Sequence, residues 1–187
     1  RTVRDNVALG LELSGIPIPK QFGVVHSVDE IEKLDLKFPV MAKASVLIGG
    51  RGKAGGIKFA DTPDEAEKIA EKLLGSKIND LMITKLLVEE RIDIFDELYL
   101  GVTIDRNNRS YVILASSEGG INIEEVVSKD PKKIIRHAVD PILGLRDYHC
   151  RNISKKLGYS GKEMNSLVEF VTKLYTVAYK MDAELTE

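Results

Sequence analysis

The chain has 187 residues, of which 43% are hydrophobic, and a formal net charge of −2. That length accommodates one generous domain or two small lobes around a cleft, and the apolar fraction is enough to bury a core. The near-neutral charge and the absence of Trp argue against a nucleic-acid or anionic-membrane partner. A single cysteine excludes an internal disulfide, and with no signal-peptide pattern or membrane-length apolar run it favours a reducing cytoplasm.

The three histidines and the one cysteine are the residues that could suggest a metal or catalytic group. His26, His137 and His149 lie far apart in the sequence, and only His149 stands beside Cys150. Because no spacing resembles a ligand set, ordinary surface or packing roles are the preferred interpretation.

The first half of the chain predicts a small α+β lobe, covering about residues 20–80. The signals are period-two apolar runs, capping boxes and the helix breakers Gly and Pro. After a short N-terminal helix through Leu13, the predicted elements are a strand over Phe22–His26, a helix begun by Ser27–Glu30, strands over Val40–Val46 and Ile57–Ala60, and a helix begun by Thr62–Glu65 and closed by Gly75.

The second half, about residues 81–187, predicts a larger lobe with a mostly antiparallel sheet. Its clearest signal is a hairpin, because two alternating runs flank a turn rich in Asn. The predicted elements are a strand over Leu81–Glu90, hairpin strands over Glu97–Asp105 and Ser110–Ser116, a Gly loop over Ser117–Gly120 with a short acidic helix, a strand over Lys133–Val139, and two helices, the last begun by a capping box at Ser160–Glu163.

The densest signal is the glycine loop Gly49–Gly56, which holds five glycines in eight residues. Bare backbone lets N–H groups approach phosphate oxygens, and Arg51 and Lys53 add positive charge. The loop is not a Walker A sequence, because Ala54 follows the Gly-Lys pair. It also matches the dinucleotide fingerprint spacing, but a strand rather than a helix follows. A strand–loop–strand arrangement indicates a mobile flap over a triphosphate.

Two further features border this loop. Lys43 is the one charge in an apolar strand-like run, and it needs an anion if its strand face is buried, so a nucleotide phosphate is the favoured partner. An acidic segment follows the second half's first strand. A solvated acidic turn is its default interpretation, and spacing alone selects none of its members, which are Glu89, Glu90, Asp93, Asp96 and Glu97.

Taken together, these stretches resemble the β subunit of succinate–CoA ligase, whose first part is an ATP-grasp fold. The similarity runs through essentially the whole chain in order, and the glycine run is its most specific part. The matching segments are Gly15-Ile-Pro-Ile-Pro19, Lys43 with Gly49-Gly-Arg-Gly-Lys-Ala-Gly-Gly56, Leu87-Val-Glu89, Glu97-Leu-Tyr-Leu-Gly101, Ser116-Ser-Glu-Gly-Gly120 and Asp140-Pro141.

The resemblance implies an α+β (α/β) ATP-grasp domain over 1–187, with a Gly-flap lobe and an antiparallel-sheet lobe, truncated before the C-terminal CoA-ligase domain. It also implies roles in binding ATP or ADP. Lys43 would contact the phosphates, Gly50, Arg51 and Gly52 would cover them, Glu89 would lie near the adenine, Ile92 would offer a backbone group to the base, and Glu97 would bind the ribose.

For metal, the resemblance implies that Glu187 is the first acid of a Glu-x-Asn motif that binds Mg²⁺. The chain stops at that residue and has no initiator Met, so both ends are expected to be cut. Pro19 stands where GTP-specific relatives carry a polar residue, which favours the ADP-forming type.

Members of this family phosphorylate a histidine on a partner α subunit, and the phosphate then passes to a carboxylic acid that CoA captures. The implied reaction is ATP + succinate + CoA = ADP + phosphate + succinyl-CoA. The phosphohistidine and most CoA contacts would belong to α, so no residue of this chain is expected to be catalytic. Two alternatives stay open: a malate–CoA ligase or ATP-citrate lyase type of subunit, and a non-catalytic nucleotide-binding module that docks a partner through the apolar face of its last helix.

Overall fold

The computed structural model describes residues 15–46, 51–120 and 123–187. They form two compact units, one from Pro19 to Phe95 and the other from Asp96 to Glu187 together with residues 15–18. The predicted N-terminal helix through Leu13 lies outside the described residues. Within the described part of the chain, no helix is both long and apolar enough to cross a membrane.

The first unit consists of a four-stranded antiparallel sheet, one α-helix and a small two-stranded ribbon. Its elements are Gln21–Val25 (β1), Val40–Ala44 (β2), Ile57–Ala60 (β3), Pro63–Leu73 (α1), Lys77–Ile78 (β4), Leu81–Met82 (β5) and Leu86–Glu90 (β6). The order in the main sheet is β1-β6-β2-β3, so β6, which comes last in the unit, is inserted between the first two strands.

Helix α1 forms where the sequence predicts it. Pro63 occupies the first turn, and the Thr62 side chain accepts a hydrogen bond from the Glu65 N–H over 3.3 Å. The buried residues Ala66, Ala70 and Leu73 recur at helical spacing and pack in one cluster with Val40, Ala44 and Val88 of the sheet. Helix α1 therefore covers one face of the sheet, and Lys43 points to the other.

Two predicted elements of this unit are wrong in detail. The helix expected after Ser27 is a single 3₁₀ turn over Val28–Glu30, and Ser27 makes no side-chain capping bond. The Glu30 carboxylate instead accepts the His26 N–H at 2.7 Å. The strand expected over Leu81–Glu90 is divided, because its first two residues pair with β4 and only the last five join the main sheet.

The second unit contains another four-stranded antiparallel sheet, in the order β10-β7-β8-β9. Its elements are Tyr99–Asp105 (β7), Ser110–Ser116 (β8), Ile123–Lys129 (α2), Ile135–Ala138 (β9), Asp147–Lys156 (α3), Gly161–Lys180 (α4) and Leu185–Thr186 (β10). The predicted hairpin is confirmed, with Tyr99 opposite Ser116 at its open end. The residue with positive φ in its turn is Arg109, at 49°, rather than an Asn.

Helices α3 and α4 supply most of the helical side of this unit's core. The apolar stripe of α4 is buried as expected, against the β7–β8 hairpin and α3. The predicted capping box at Ser160 is wrong, since its side chain makes no capping bond. The sequence analysis also missed β10, which has only two residues and pairs with Val102 and Thr103 of β7.

The boundary between the units differs from the predicted one at about residue 80. It falls between Phe95 and Asp96. The physical reason is the pairing of β6 with β1 on one side and β2 on the other, which ties residues 86–90 to the first unit.

Candidate functional site

The residues singled out from the sequence fall in both units, and each group is described within its own unit. Gly50 lies outside the described residues. The first unit carries Lys43, Arg51, Gly52, Glu89 and Ile92, and the second carries Glu97 and Glu187.

Lys43 and Glu89 form an ion pair between the two central strands of the first sheet. The register places Lys43 opposite Leu87, so Glu89 is its diagonal neighbour on the same face. Glu89 is only 3% exposed, whereas the lysine side chain is 26% exposed. The expected need of Lys43 for an anion is therefore met within the chain by a buried carboxylate.

This pairing has a chemical consequence. A carboxylate that is removed from water is stable only when a cation or several donors compensate it. Lys43 supplies that cation, and its side chain as a whole is partly exposed. The pair thus places a positive group on the sheet face opposite α1, on a side chain that is only partly buried.

The described part of the glycine loop folds back on the ends of β2 and β3. The Arg51 guanidinium donates from Nη1 to the carbonyl oxygen of Ala44 at 3.0 Å, and Arg51 O accepts the Gly56 N–H at 2.8 Å. Gly52 O accepts the Gly55 N–H at 3.0 Å. Arg51 is consequently held close to the strand that carries Lys43.

The three described glycines of this loop differ in why they lack a side chain. At Gly56 a Cβ would overlap the Ile78 side chain and come within 3.2 Å of the Ala44 Cβ, so packing requires glycine there. Gly55 has φ +77°, which favours glycine for conformational reasons. At Gly52 the backbone is unstrained and a Cβ would meet only the tip of Ile57 at 3.6 Å. The fold of the described residues gives no reason for glycine at that position.

The segment after β6 is irregular and exposed. Glu90 is anchored to the start of β1, because its carboxylate accepts the Lys20 N–H at 2.8 Å and its own N–H donates to Lys20 O at 2.8 Å. Ile92 is 47% exposed. Its side chain is thus open to solvent within the described residues, and its backbone lies directly beyond the strand that carries Glu89.

In the second unit, Glu97 lies two residues before β7, against the loop Ser117–Gly120. Its carbonyl oxygen accepts the Gly119 N–H at 3.2 Å. A Cβ on Gly119 would overlap the backbone of Glu97, and one on Gly120 would overlap the end of its carboxylate. The sequence predicts a glycine loop at this second Gly-Gly pair but indicates no role for the pair. The signal that could have found one is its position beside Glu97 across the predicted hairpin.

Glu187 follows β10, and its carboxylate accepts a hydrogen bond from the Tyr99 hydroxyl at 3.2 Å. Across the described ranges, no three His, Cys, Asp or Glu side chains converge as a metal site would require. Glu187 accordingly offers a single carboxylate. That donor set fits one ligand position of Mg²⁺, which commonly takes one or two carboxylates and completes its shell with phosphate and water.

His137, His149 and Cys150 occupy packing positions, whereas His26 is exposed and its Nδ1 lies 3.5 Å from the Glu30 carboxylate. The rings of His137 and His149 are 4.5 Å apart, and His149 Nδ1 accepts the Arg146 N–H at 3.2 Å. Burial, followed by the charges on His149 and Lys156, lowers the pKa of His137. Burial also raises the pKa of the Cys150 thiol, which therefore stays protonated.

Comparison with known proteins identifies the family of this chain. The pattern of the ATP-grasp domain matches residues 11–187. The chain therefore belongs to the ATP-grasp family. The subunit beta of an ADP-forming succinate–CoA ligase from Deinococcus deserti is 41% identical over 187 residues, which covers 94% of this chain and 48% of that protein. The chain spans about half the length of the curated relatives it matches.

Solved structures support the fold at lower identity. A dinucleotide-forming acetyl-coenzyme A synthetase from Ca. Korarchaeum cryptofilum is 16% identical with a TM-score of 0.68, over 94% of this chain and 79% of that one. ATP citrate lyase from Methanothrix soehngenii is 21% identical with a TM-score of 0.59, over 75% of this chain and 32% of that one. At these identities the likeness shows the shared fold alone.

Proposed function

We propose that this chain is the nucleotide-binding part of the β subunit of an ADP-forming succinate–CoA ligase. The reaction would be ATP + succinate + CoA = ADP + phosphate + succinyl-CoA, carried out with an α subunit that bears a phosphohistidine and the CoA site. The name and 41% identity of the Deinococcus relative support the activity. The cell compartment that fits a protein with one buried free cysteine is the cytoplasm.

The observation that carries the proposal is the cationic end of β2. A lysine ammonium is held there by a buried carboxylate, and Arg51 is bonded to the last carbonyl of the same strand. Polyphosphate is the ligand class that uses two such cations beside a glycine backbone. Gly52 adds to this argument, because neither packing nor φ explains its missing side chain, whereas close approach of a phosphate would.

The residues of the first unit would each contact a different part of the nucleotide. Lys43 would contact the terminal phosphates, and Gly50, Arg51 and Gly52 would cover them. Ile92 would present a backbone group to the adenine.

The proposed role of Glu89 differs from the one expected from the sequence, which placed it near the adenine. Its carboxylate is committed to the Lys43 ammonium. Glu89 would therefore act on the phosphate end of the nucleotide by holding the lysine, in addition to lying at the start of the segment that reaches the base.

In the second unit, Glu97 would accept hydrogen bonds from ribose hydroxyls, since a carboxylate is an acceptor-only group when ionised. Glu187 would provide one ligand to the Mg²⁺ that accompanies the nucleotide. The metal would neutralise charge on the phosphates during transfer, and the residues of this chain would bind and orient the nucleotide.

The test is phosphoryl transfer by the protein that contains this chain, purified with its α subunit. Incubation with Mg²⁺ and γ-labelled ATP should label the α subunit through an acid-labile, base-stable bond, as phosphohistidine is. Adding succinate and CoA should discharge the label, whereas malate or citrate should not. Discharge by malate or citrate instead would reassign the acid. A complete lack of labelling would contradict the ligase proposal and favour a passive nucleotide-binding module.

A further inference from the structure

The second glycine pair, Gly119-Gly120, is a feature that the proposed function leaves without a role. It lies at the open end of the β7–β8 hairpin, where the last paired residues are Tyr99 and Ser116. Glu97 precedes that pair by two positions and Gly119 follows it by three. The chain therefore returns directly onto the residue proposed to bind ribose, and the Gly119 N–H bonds to its carbonyl at 3.2 Å.

The loop that carries the pair is anchored on its other side. Ser116 is fully buried, and its hydroxyl oxygen accepts the Glu118 N–H at 3.1 Å. The Glu118 carboxylate pairs with Lys133 Nζ at 2.7 Å, and this hydrogen bond raises the pKa of Lys133. These contacts, together with the bond from the Gly119 N–H to Glu97, hold Glu118 and Gly119 beside the start of β7.

The two glycines face different parts of Glu97. A Cβ on Gly119 would overlap the carbonyl group of Glu97 and the nitrogen of Leu98, all of which are backbone atoms. A Cβ on Gly120 would overlap Oε2 of Glu97 and would otherwise meet only the rest of the same carboxylate. A side chain at Gly119 must therefore displace the main chain, whereas one at Gly120 displaces only the carboxylate end of the Glu97 side chain.

We propose that Gly120 is a positioning residue whose missing side chain leaves the space that the Glu97 carboxylate occupies. Through Glu97, it determines how strongly the site prefers a ribonucleotide over its deoxy analogues. This inference rests on the proposed role of Glu97 in binding the sugar. Gly119 serves a different purpose, which is to let two backbone segments pack together.

Gly120 has φ +66°, so any substitution there also strains the backbone. The chain provides a matched control for that strain. Gly144, in the same unit, has φ +67°, and the nearest atom to a Cβ there is the Tyr175 hydroxyl at 4.0 Å. Gly144→Ala therefore reproduces the conformational cost without disturbing a carboxylate.

The experiment is calorimetric titration of the protein with Mg-ATP, Mg-2′-dATP and Mg-3′-dATP, for the unsubstituted protein, Glu97→Ala, Gly120→Ala and Gly144→Ala. The unsubstituted protein should prefer ATP over at least one deoxy analogue by about tenfold, the value of one charge-assisted hydrogen bond. Glu97→Ala and Gly120→Ala should both lose that preference. Gly144→Ala should keep it, with a melting temperature equal to that of Gly120→Ala.

The possible outcomes distinguish sugar binding by Glu97 from the positioning role of Gly120. If Glu97→Ala keeps the preference, or no preference exists, the sugar-binding role of Glu97 is wrong, and the positioning role of Gly120 is then wrong as well. If Glu97→Ala loses the preference but Gly120→Ala keeps it, Glu97 binds the sugar and the positioning role alone is wrong. A much lower melting temperature for Gly120→Ala than for Gly144→Ala would also overturn the inference, because the glycine would then serve the fold.

Discussion

The two glycine-rich loops of this chain meet different demands. In the first loop, Gly55 and Gly56 are explained by backbone conformation and by packing against Ile78, and Gly52 is the described glycine that the fold does not require. In the second loop, Gly119 allows a backbone contact and Gly120 leaves room for a carboxylate. Glycine density therefore marks a loop as unusual, and only the surroundings of each glycine show which one serves a ligand.

The largest expected effect comes from Lys43→Ala. The substitution removes a phosphate contact and leaves the buried Glu89 unpaired, so ATP affinity should fall about 100-fold or more and the free energy of unfolding by about 2 kcal/mol. Calorimetric titration and urea unfolding measure the two losses.

The double variant Lys43→Met/Glu89→Leu separates stability from binding. Replacing a buried ion pair by apolar side chains of similar size is often neutral for stability. The free energy of unfolding should therefore be close to that of the unsubstituted protein, whereas ATP binding should remain lost. Recovery of ATP affinity together with stability would show that Lys43 acts on the fold and not on the phosphates.

Gly119→Ala should produce the next largest effect. The new methyl group would overlap the backbone of Glu97 and Leu98, and such overpacking typically lowers the free energy of unfolding by about 1–3 kcal/mol. Urea unfolding measured beside Gly120→Ala tests the difference between the neighbouring glycines. Equal stabilities for the two variants would contradict the distinction drawn between them.

Within the first loop, the comparison is between Gly56→Ala and Gly52→Ala. Gly56→Ala should destabilise the protein, because the methyl group overlaps Ile78. Gly52→Ala should change the free energy of unfolding by less than about 1 kcal/mol, since the site is open and unstrained. Its ATP affinity should nevertheless fall about tenfold, as expected when one phosphate contact is obstructed. Unchanged affinity would remove Gly52 from the binding loop.

The smallest effect concerns the residue before Glu97. Hydrogen bonding to the Asp96 carboxylate is the main cause that raises the pKa of Tyr159 to about 12. A raised phenol pKa favours the protonated, folded form, so this contribution to stability is complete below about pH 10 and is lost as pH rises towards 12. The free energy of unfolding of Tyr159→Phe should therefore depend less on pH across pH 10–12 than that of the unsubstituted protein. An equal pH dependence for both proteins would contradict a stabilising hydrogen bond between Tyr159 and Asp96.

Much of the fold could be predicted because its signals are local. Thr62, Pro63 and an apolar stripe predict helix α1. The alternation of apolar and polar residues on both sides of a turn predicts the β7–β8 hairpin. The Lys43–Glu89 pair could not be predicted from local signals. It depends on β6 being inserted between β1 and β2 and on the register that makes the two residues diagonal neighbours. Strand order is a long-range property, and residue spacing does not encode it.

The roles of individual glycines could not be predicted from the sequence for a similar reason. Gly56 is explained by Ile78, which lies 22 positions away along the chain, and Gly120 by Glu97, which lies 23 positions away. A sequence shows that a position has no side chain but does not show what fills the space.

The central claim is that the cationic end of β2 binds the phosphates of a nucleotide, and calorimetric titration tests it most directly. Mg-ATP and Mg-GTP should be titrated into the protein and into the Lys43→Met/Glu89→Leu variant, with both shown to have the same melting temperature. The account predicts that the protein binds ATP more tightly than GTP and that the equally stable variant binds neither. Undiminished ATP binding by the variant, or no binding of either nucleotide by the unsubstituted protein, would contradict it.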